Sequence, residues 1–451
     1  MTPPKIGFVT CIHPLYDLPA VAAWREEAAA ALRRSGCEVI VSPTPRTAED
    51  AERMAADLKA CEADLAVLYF CSWVSEQVTQ ALARAMGPMP LLLWALPYLD
   101  RDIPMPSPMS GITASGSNIR RMGKPFAYVV GGVNDATVRQ VARAAQAASA
   151  VTALRHARLG VVGETCPGMV DVETDEAALE KALGVRIVHF DLDPLISAAH
   201  AAPQAEAAIG ARRLLATIGG TREIGEPELT DNLRLWVAIR DLVESNRLDA
   251  YCVRCWPELR NQLGLTACAS HSLMALDGIP NTCEIDVTAL ITTWLLARLA
   301  DAPAFNFDLT AYLAEEDALQ FAHCGAAAPS LAASPSEVAL KKHMRTGTGA
   351  TVEFPFPKGR VTLAKLLRPS VEGPTYLFLA PGEVIASGEV RGSVATVRPE
   401  PSTARFLSAM MEYAVEHHLA LVYGDWQREL QLFGEFTGIQ ILTPATCRAA
   451  C

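Results

Sequence analysis

Four short segments of this chain hold acids, imidazoles and a thiol in patterns that could do chemistry. Asn281-Thr-Cys-Glu284-Ile-Asp286 opens an apolar run that reads as a helix. Acids in a helix's first turn complement its dipole, which alone would explain Glu284. Phe305-Asn-Phe-Asp308 places an acid after an apolar stretch and before an expected helix, where Asp serves equally as an N-cap. Leu319-Gln-Phe-Ala-His323-Cys324-Gly325 carries an imidazole and a thiol in an apolar run; adjacent residues rarely ligate one metal, so at most one of them is a ligand. Glu416-His417-His418 closes a helix expected over about Ser402–Glu416 and feeds a strand, and histidines there suit the dipole's negative end. Singly, each segment has its ordinary explanation. Together they supply two carboxylates and one or two imidazoles, a set suited to Mn²⁺, Mg²⁺ or Co²⁺ rather than a thiolate-bound zinc.

The elements that must position these groups read as α/β. Strand-like runs at Ile6–Cys11, Glu38–Val41, Leu65–Phe70 and Pro90–Leu96 alternate with helical patterns at Ala20–Arg34, Ala48–Cys61 and Ser75–Ala85. That alternation predicts a parallel sheet with ligands at the strands' carboxyl ends, near His13, Tyr16, Asp17 and Trp73. A Pro/Ser/Gly-rich stretch, Asp102 to Gly116, is expected to be a loop. The series resumes after a helix at Asp135–Leu154, with strands at 158–163, 185–191 and 250–253. Residues 349–397 change to short strands, with Thr375–Ala380 and Gly382–Gly388 expected as two of them. The expectation is two Rossmann- or flavodoxin-like α/β domains, residues 1–154 and 155–302, followed by a C-terminal domain, 303–451, containing a small antiparallel β-barrel.

Composition removes several classes. A chain of 451 residues with a net charge of −11 lacks the clustered Lys and Arg of a nucleic-acid protein. Val287–Ala300, the most apolar stretch, is too short to span a membrane and carries Arg298. No signal-peptide pattern precedes Lys5, and the twelve cysteines are spread through core-like segments, so a cytoplasmic protein with reduced thiols is expected. Cys252-x-x-Cys255 lacks a second pair at zinc-ribbon spacing. Gly160-Val-Val-Gly163 is too short for a dinucleotide fingerprint, and neither a Walker loop nor a Gly-x-Ser-x-Gly elbow occurs.

As an ordered group, the motifs resemble a known family. Cys283-Glu284-Ile-Asp286-Val-Thr-Ala-Leu290 resembles the Glu-x-Asp helix start of the L-fucose and L-arabinose isomerases. Phe307-Asp308, 24 residues beyond Glu284, resembles the second metal carboxylate of the fucose branch. His418 matches the C-terminal metal histidine, which in the arabinose branch also follows another His. The resemblance thus implies Glu284, Asp308 and His418 as ligands of Mn²⁺, or of Mg²⁺ or Co²⁺. His323 falls where the arabinose branch places a further ligand, and Cys324 stands for a Ser that contacts sugar hydroxyls in the fucose branch. Arg254-Cys-Trp256 resembles an Arg-x-Trp segment, but the neighbouring Gln of the fucose branch is Val253 here, a departure bearing on sugar specificity. The likeness covers roughly residues 155–451 in motif and the first 150 only in architecture.

The implied activity is aldose–ketose isomerisation through an ene-diol, with Glu284 and Asp308 catalytic and one or both moving the proton. His323, Cys324, His417, Trp256 and Arg254 would contact a sugar or sugar acid. His13, Tyr16, Asp17 and Trp73 would cap the cleft or reach a neighbouring subunit's cleft in a homotrimer or homohexamer. Two alternatives stand beside this reading. One is another enediolate enzyme (epimerase, decarboxylase or lyase). The other is a sugar-binding protein, whose usual signal peptide or DNA-binding module is not visible. Pentose, deoxyhexose, sulfosugar and uronate substrates all stay open.

Overall fold

A computed structural model of the chain describes residues 2–17, 19–97, 107–368, 373–386 and 391–447. They form two compact units: residues 1–155 with 428–440, and residues 156–427 with 441–451.

The first unit is built on a five-stranded parallel sheet. Its strands run in the order Glu38–Val41, Lys5–Cys11, Leu65–Phe70, Leu91–Ala95, Ala127–Val130. Leu65–Phe70 and Leu91–Ala95 are buried along their whole length, which is why they read as unbroken apolar runs. Between them Phe8, Tyr69 and Trp94 pack ring against ring, at centroid distances of 5.2 and 4.8 Å. The second strand in sequence, Glu38–Val41, lies on one side of Lys5–Cys11 and the third, Leu65–Phe70, on the other, so the loops after Lys5–Cys11 and Leu65–Phe70 meet at a topological switch point. There His13 donates its backbone N–H to Ser72, and its ring lies 5.4 Å from that of Trp73 and 6.2 Å from that of Tyr16.

The expected loop at Asp102–Gly116 is corrected in part: Pro108–Arg121 is a helix, while residues 102–106 lie outside those described. The composition misled because its small residues serve contact rather than turning. A Cβ on Gly111 would lie 2.6 Å from the backbone oxygen of Ser72, and one on Gly116 would lie 3.2 Å from the Phe126 ring.

The second unit begins with a four-stranded parallel sheet in the order Arg186–Phe190, Arg158–Val162, Ala250–Val253, Asn281–Cys283. The chain then enters helix Val287–Ala300, which is buried on nearly every side, as its all-round apolar sequence requires. Beyond it, six strands pair antiparallel in a closed ring. In order these are Ser393–Pro399, Ala318–His323, Phe305–Leu313, His418–Tyr423, Gly359–Leu367 and Tyr376–Ala386, the last returning to the first through Val384 opposite Val397. Strands Ala339–Lys342 and Ala350–Pro355 extend one side of it.

Three local expectations fail here. Thr375–Ala380 and Gly382–Gly388 are not two strands. One strand, Tyr376–Ala386, runs through Pro381 and Gly382, and residues 387–390 lie outside those described. Gly382 is there for space, since a Cβ would meet the Val397 side chain at 2.9 Å where the ring closes. Asp308 precedes no helix, because Phe305–Leu313 is a strand whose Phe305 and Phe307 are buried. The helix before the histidine pair ends at Tyr413, with Ala414 in the left-handed conformation, so His417 and His418 are not helical. No described helix is long and apolar enough to cross a membrane.

Gly111→Ala decides between two effects in the first unit. Alanine is favoured over glycine in a helix by about 1 kcal/mol, but overpacking against a backbone atom costs about 1–3 kcal/mol. Ser72's carbonyl belongs to the main chain and cannot swing away. Thermal unfolding should therefore show a net loss of stability; a raised melting temperature would contradict the packing argument.

Candidate functional site

Glu284 sits in the turn between strand Asn281–Cys283 and helix Val287–Ala300. It and Ile285 both adopt positive φ, 66° and 61°. Two successive left-handed residues with side chains are costly, and such strain persists only where surroundings over-determine it. Here the determinant is Asp286, the helix N-cap. Its Oδ1 accepts from the Ala289 N–H at 2.7 Å and from the Thr288 hydroxyl at 2.9 Å. Asp286, rather than Glu284, thus fills the helix-start role foreseen for the acids of this segment.

Asp308 and His418 lie directly opposite one another on paired antiparallel strands. Directly opposed residues share a face of the sheet, so the register alone brings the carboxylate and imidazole together. His323 ends the neighbouring strand, Ala318–His323.

The three segments converge. His418 Nε2 lies 3.2 Å from Glu284 Oε2 and 3.2 Å from Asp308 Oδ1, and His323 Nε2 lies 3.9 Å from Glu284 Oε2. Among the described residues, His418 Nε2 and Asp308 Oδ1 are buried with no well-formed hydrogen bond, only their ion-pair approaches within this cluster. Buried polar atoms are seldom left so, and these two point at the same small space. Glu284, Asp308 and His323 can each offer one ligand atom within 4.8 Å of the others, as can Asp308, His417 and His418. A mixed oxygen and nitrogen donor set gathered in this way fits a divalent cation.

Behind the cluster lies a layer that the sequence did not disclose. Asp286 Oδ2 faces His418 Nδ1 at 2.9 Å and also accepts from Lys365, whose ammonium reaches Glu416 at 2.7 Å. Lys365 and Asp286 have no solvent exposure. A lone lysine inside the apolar strand Gly359–Leu367 was the available signal.

Burial opposes every charge here, and neighbouring charges prevail at most of them. Burial raises the Asp308 carboxyl, but His418, His323 and His417 outweigh it and hold it at about 2. Glu284 is likewise lowered against burial by His418 and His323. Burial lowers the His418 imidazole, yet Asp286, Asp308 and Glu284 carry it well above its usual range. Lys365 is raised by Asp286 and Glu416 in spite of burial. Both Glu284 and Asp308 are therefore ionised at neutral pH.

The remaining expected contacts divide by place. His417 bonds Asp171 at 2.7 Å and packs beside His418 with ring centroids 4.1 Å apart. Cys324 follows His323 and is half-buried. Arg254 is bound to Glu258 at 2.5 Å and lines a cavity of about 580 Å³ with Glu164, His189 and Asp191. Trp256 is 49% exposed, and its carbonyl accepts from the Cys166 thiol. His13, Tyr16, Asp17 and Trp73 belong to the first unit, where Asp17 pairs with Arg46. The described cysteines are free thiols, mostly buried.

No protein-family model matches the chain. Among curated proteins it is similar to the sulfoquinovose isomerases of Priestia aryabhattai and Priestia megaterium, at 24% identity over 431 residues, 94% of this chain and 96% of theirs. A sulfoquinovose isomerase of Alkalicoccus urumqiensis is also 24% identical, over 78% of this chain and 80% of its own. These relatives are sugar isomerases by name. Among solved structures, a solute-binding protein of Actinobacillus succinogenes 130z with bound D-allose is 13% identical over 66% of this chain and 92% of its own; its TM-score of 0.19 carries no argument.

Asp308 gives a pH test in the metal-free protein. Its folded pKa of about 2 lies below the ordinary 3.8. The stabilisation it contributes is thus complete above the ordinary value and is lost as pH falls towards 2, about 2 kcal/mol in all. Denaturant unfolding in EDTA should show wild type losing stability relative to Asp308→Asn between pH 5 and pH 3. A difference between the two that does not change over that range would contradict the assignment.

Proposed function

We propose that this chain is a divalent-metal-dependent aldose–ketose isomerase of the L-fucose/L-arabinose isomerase type, acting on a hexose that bears an anionic sulfonate. The observation that carries the reading is the buried convergence of Glu284 Oε2 and Asp308 Oδ1 on His418 Nε2, each 3.2 Å from it. The substrate class follows the names of relatives that match nearly the whole chain. Glu284, Asp308 and His418 would hold the ion, with His323 beside them; Mn²⁺ is the proposed metal, with Mg²⁺ or Co²⁺ as substitutes. The enzyme is proposed to work in the cytoplasm as a homo-oligomer.

The reaction moves one proton between adjacent carbons. One ionised carboxylate, Glu284 or Asp308, takes the proton from C2 of the aldose. The carboxylic acid so formed returns it to C1, while the O2 proton passes to O1 and the ketose results. When bound, a divalent ion held by Glu284, Asp308 and His418 would supply Lewis acidity to the negative charge that develops on the substrate. Two carboxylates held ionised in a largely buried site meet the first requirement, a resting base.

Glu284→Gln and Asp308→Asn should each lower kcat at least about 100-fold, the scale of a lost general base, in variants that circular dichroism still shows to be folded, with Asp308→Asn melting lower by the charge stabilisation it gives up. The assay is NMR detection of a ketose of unchanged mass from sulfoquinovose, with plain aldoses and uronates as controls. A stereoisomer with the carbonyl in place would indicate an epimerase, and smaller fragments a lyase. Turnover in EDTA equal to that with Mn²⁺ would sink the metal-dependent reading.

A further inference from the structure

Lys365 is the least expected residue of the second unit. It lies in the strand Gly359–Leu367 of the closed ring, fully buried, among Val361, Leu363, Leu366 and Leu367. Taking an ammonium out of water is expensive, and a buried ion pair gives little net stability over apolar residues of the same shape. A buried lysine is therefore better explained by what it orients than by what it stabilises.

Its contacts specify an orientation. Asp286 has both oxygens engaged: Oδ1 with Ala289 and Thr288, Oδ2 with Lys365 and His418. Lys365 is held from its other side by Glu416, two residues before His418 in the chain. With all four contacts made, the Asp286 carboxylate cannot rotate, and it presents Oδ2 to Nδ1 of the imidazole. The proton of a neutral His418 then stays on Nδ1. Nε2 is left with its lone pair facing the space shared with Glu284 and Asp308.

We propose that Lys365 is a positioning residue that prepares His418 to bind a divalent cation, acting through Asp286. The proposal rests on the reading of the site as a metal centre. Partners one layer behind metal ligands typically change metal affinity about 10- to 100-fold when removed.

The test is Mn²⁺ alone, titrated into metal-free wild type, Lys365→Met and Glu416→Gln. Free Mn²⁺ is counted by EPR, and folding is checked by circular dichroism and melting in EDTA. Methionine keeps the length and removes the donors; glutamine keeps an acceptor for Lys365 and removes the anchoring charge. Lys365→Met should weaken Mn²⁺ binding at least about 10-fold and alter the line shape of the bound-ion spectrum while the protein stays folded. Glu416→Gln should shift both in the same direction by less. Folded variants that bind Mn²⁺ within about 2-fold of wild type, with an unchanged spectrum, would overturn the role; 2-fold is well under the usual loss. If Lys365→Met does not fold, Glu416→Gln decides by the same criterion. Wild type that binds no Mn²⁺ would overturn both this role and the metal centre, whereas wild type that binds Mn²⁺ without isomerising any sugar would overturn the isomerase reading alone.

Discussion

The second unit depends on one buried carboxylate. Asp286 caps helix Val287–Ala300, receives Lys365 from the closed ring of strands, and faces His418 from another strand of that ring. Helix and ring also meet where the Leu366 N–H donates to the Thr292 hydroxyl. Without Asp286, Lys365 would keep Glu416 alone, His418 would lose its nearest anion, and the helix would lose its cap. Breaking a buried ion pair from one side costs about 3–5 kcal/mol, far more than a cap alone. The chemistry proposed for the site and the packing of the helix on the ring therefore share one set of atoms.

The convergence is economical in backbone. Asp308 and His418 need only a strand register, because opposed residues in an antiparallel pair share a face. His323 comes from the next strand of the same ring. Only Glu284 arrives from outside it, on a turn that follows the last strand of the parallel sheet. A ring of paired strands fixes three of the four groups, and a single helix fixes the fourth.

This division explains what could be read in advance. Leu65–Phe70 and Leu91–Ala95 were legible because a strand buried on both faces is an unbroken apolar run between helices, whereas the edge strand Ala127–Val130, alternately exposed, was not foreseen. Glu284, Asp308, His323 and His418 were legible as an ordered set of donors, though the helix expected after Asp308 and the helix end expected at Glu416 were misjudged. Asp308 looks like a helix cap because its strand is defined by partners far along the chain, Ala322 on one side and His418 on the other. Lys365 was invisible as a partner of Asp286, 79 residues away, because an apolar strand can flag a lone lysine but nothing local names the carboxylate it meets. Gly111 and Gly116 gave the opposite error, since glycine marks close approach as readily as a turn.

The paired left-handed residues Glu284 and Ile285 have a consequence for any attempt to make this protein hardier. Glycine would relax either position, since it alone adopts such angles freely. At Glu284 that relief deletes the carboxylate. At Ile285, a side chain only 5% exposed, it frees the hinge that aims the carboxylate and empties a packed position. Selection for thermal tolerance and selection for turnover would pull this turn in opposite directions, and a more robust variant is better sought in the first unit.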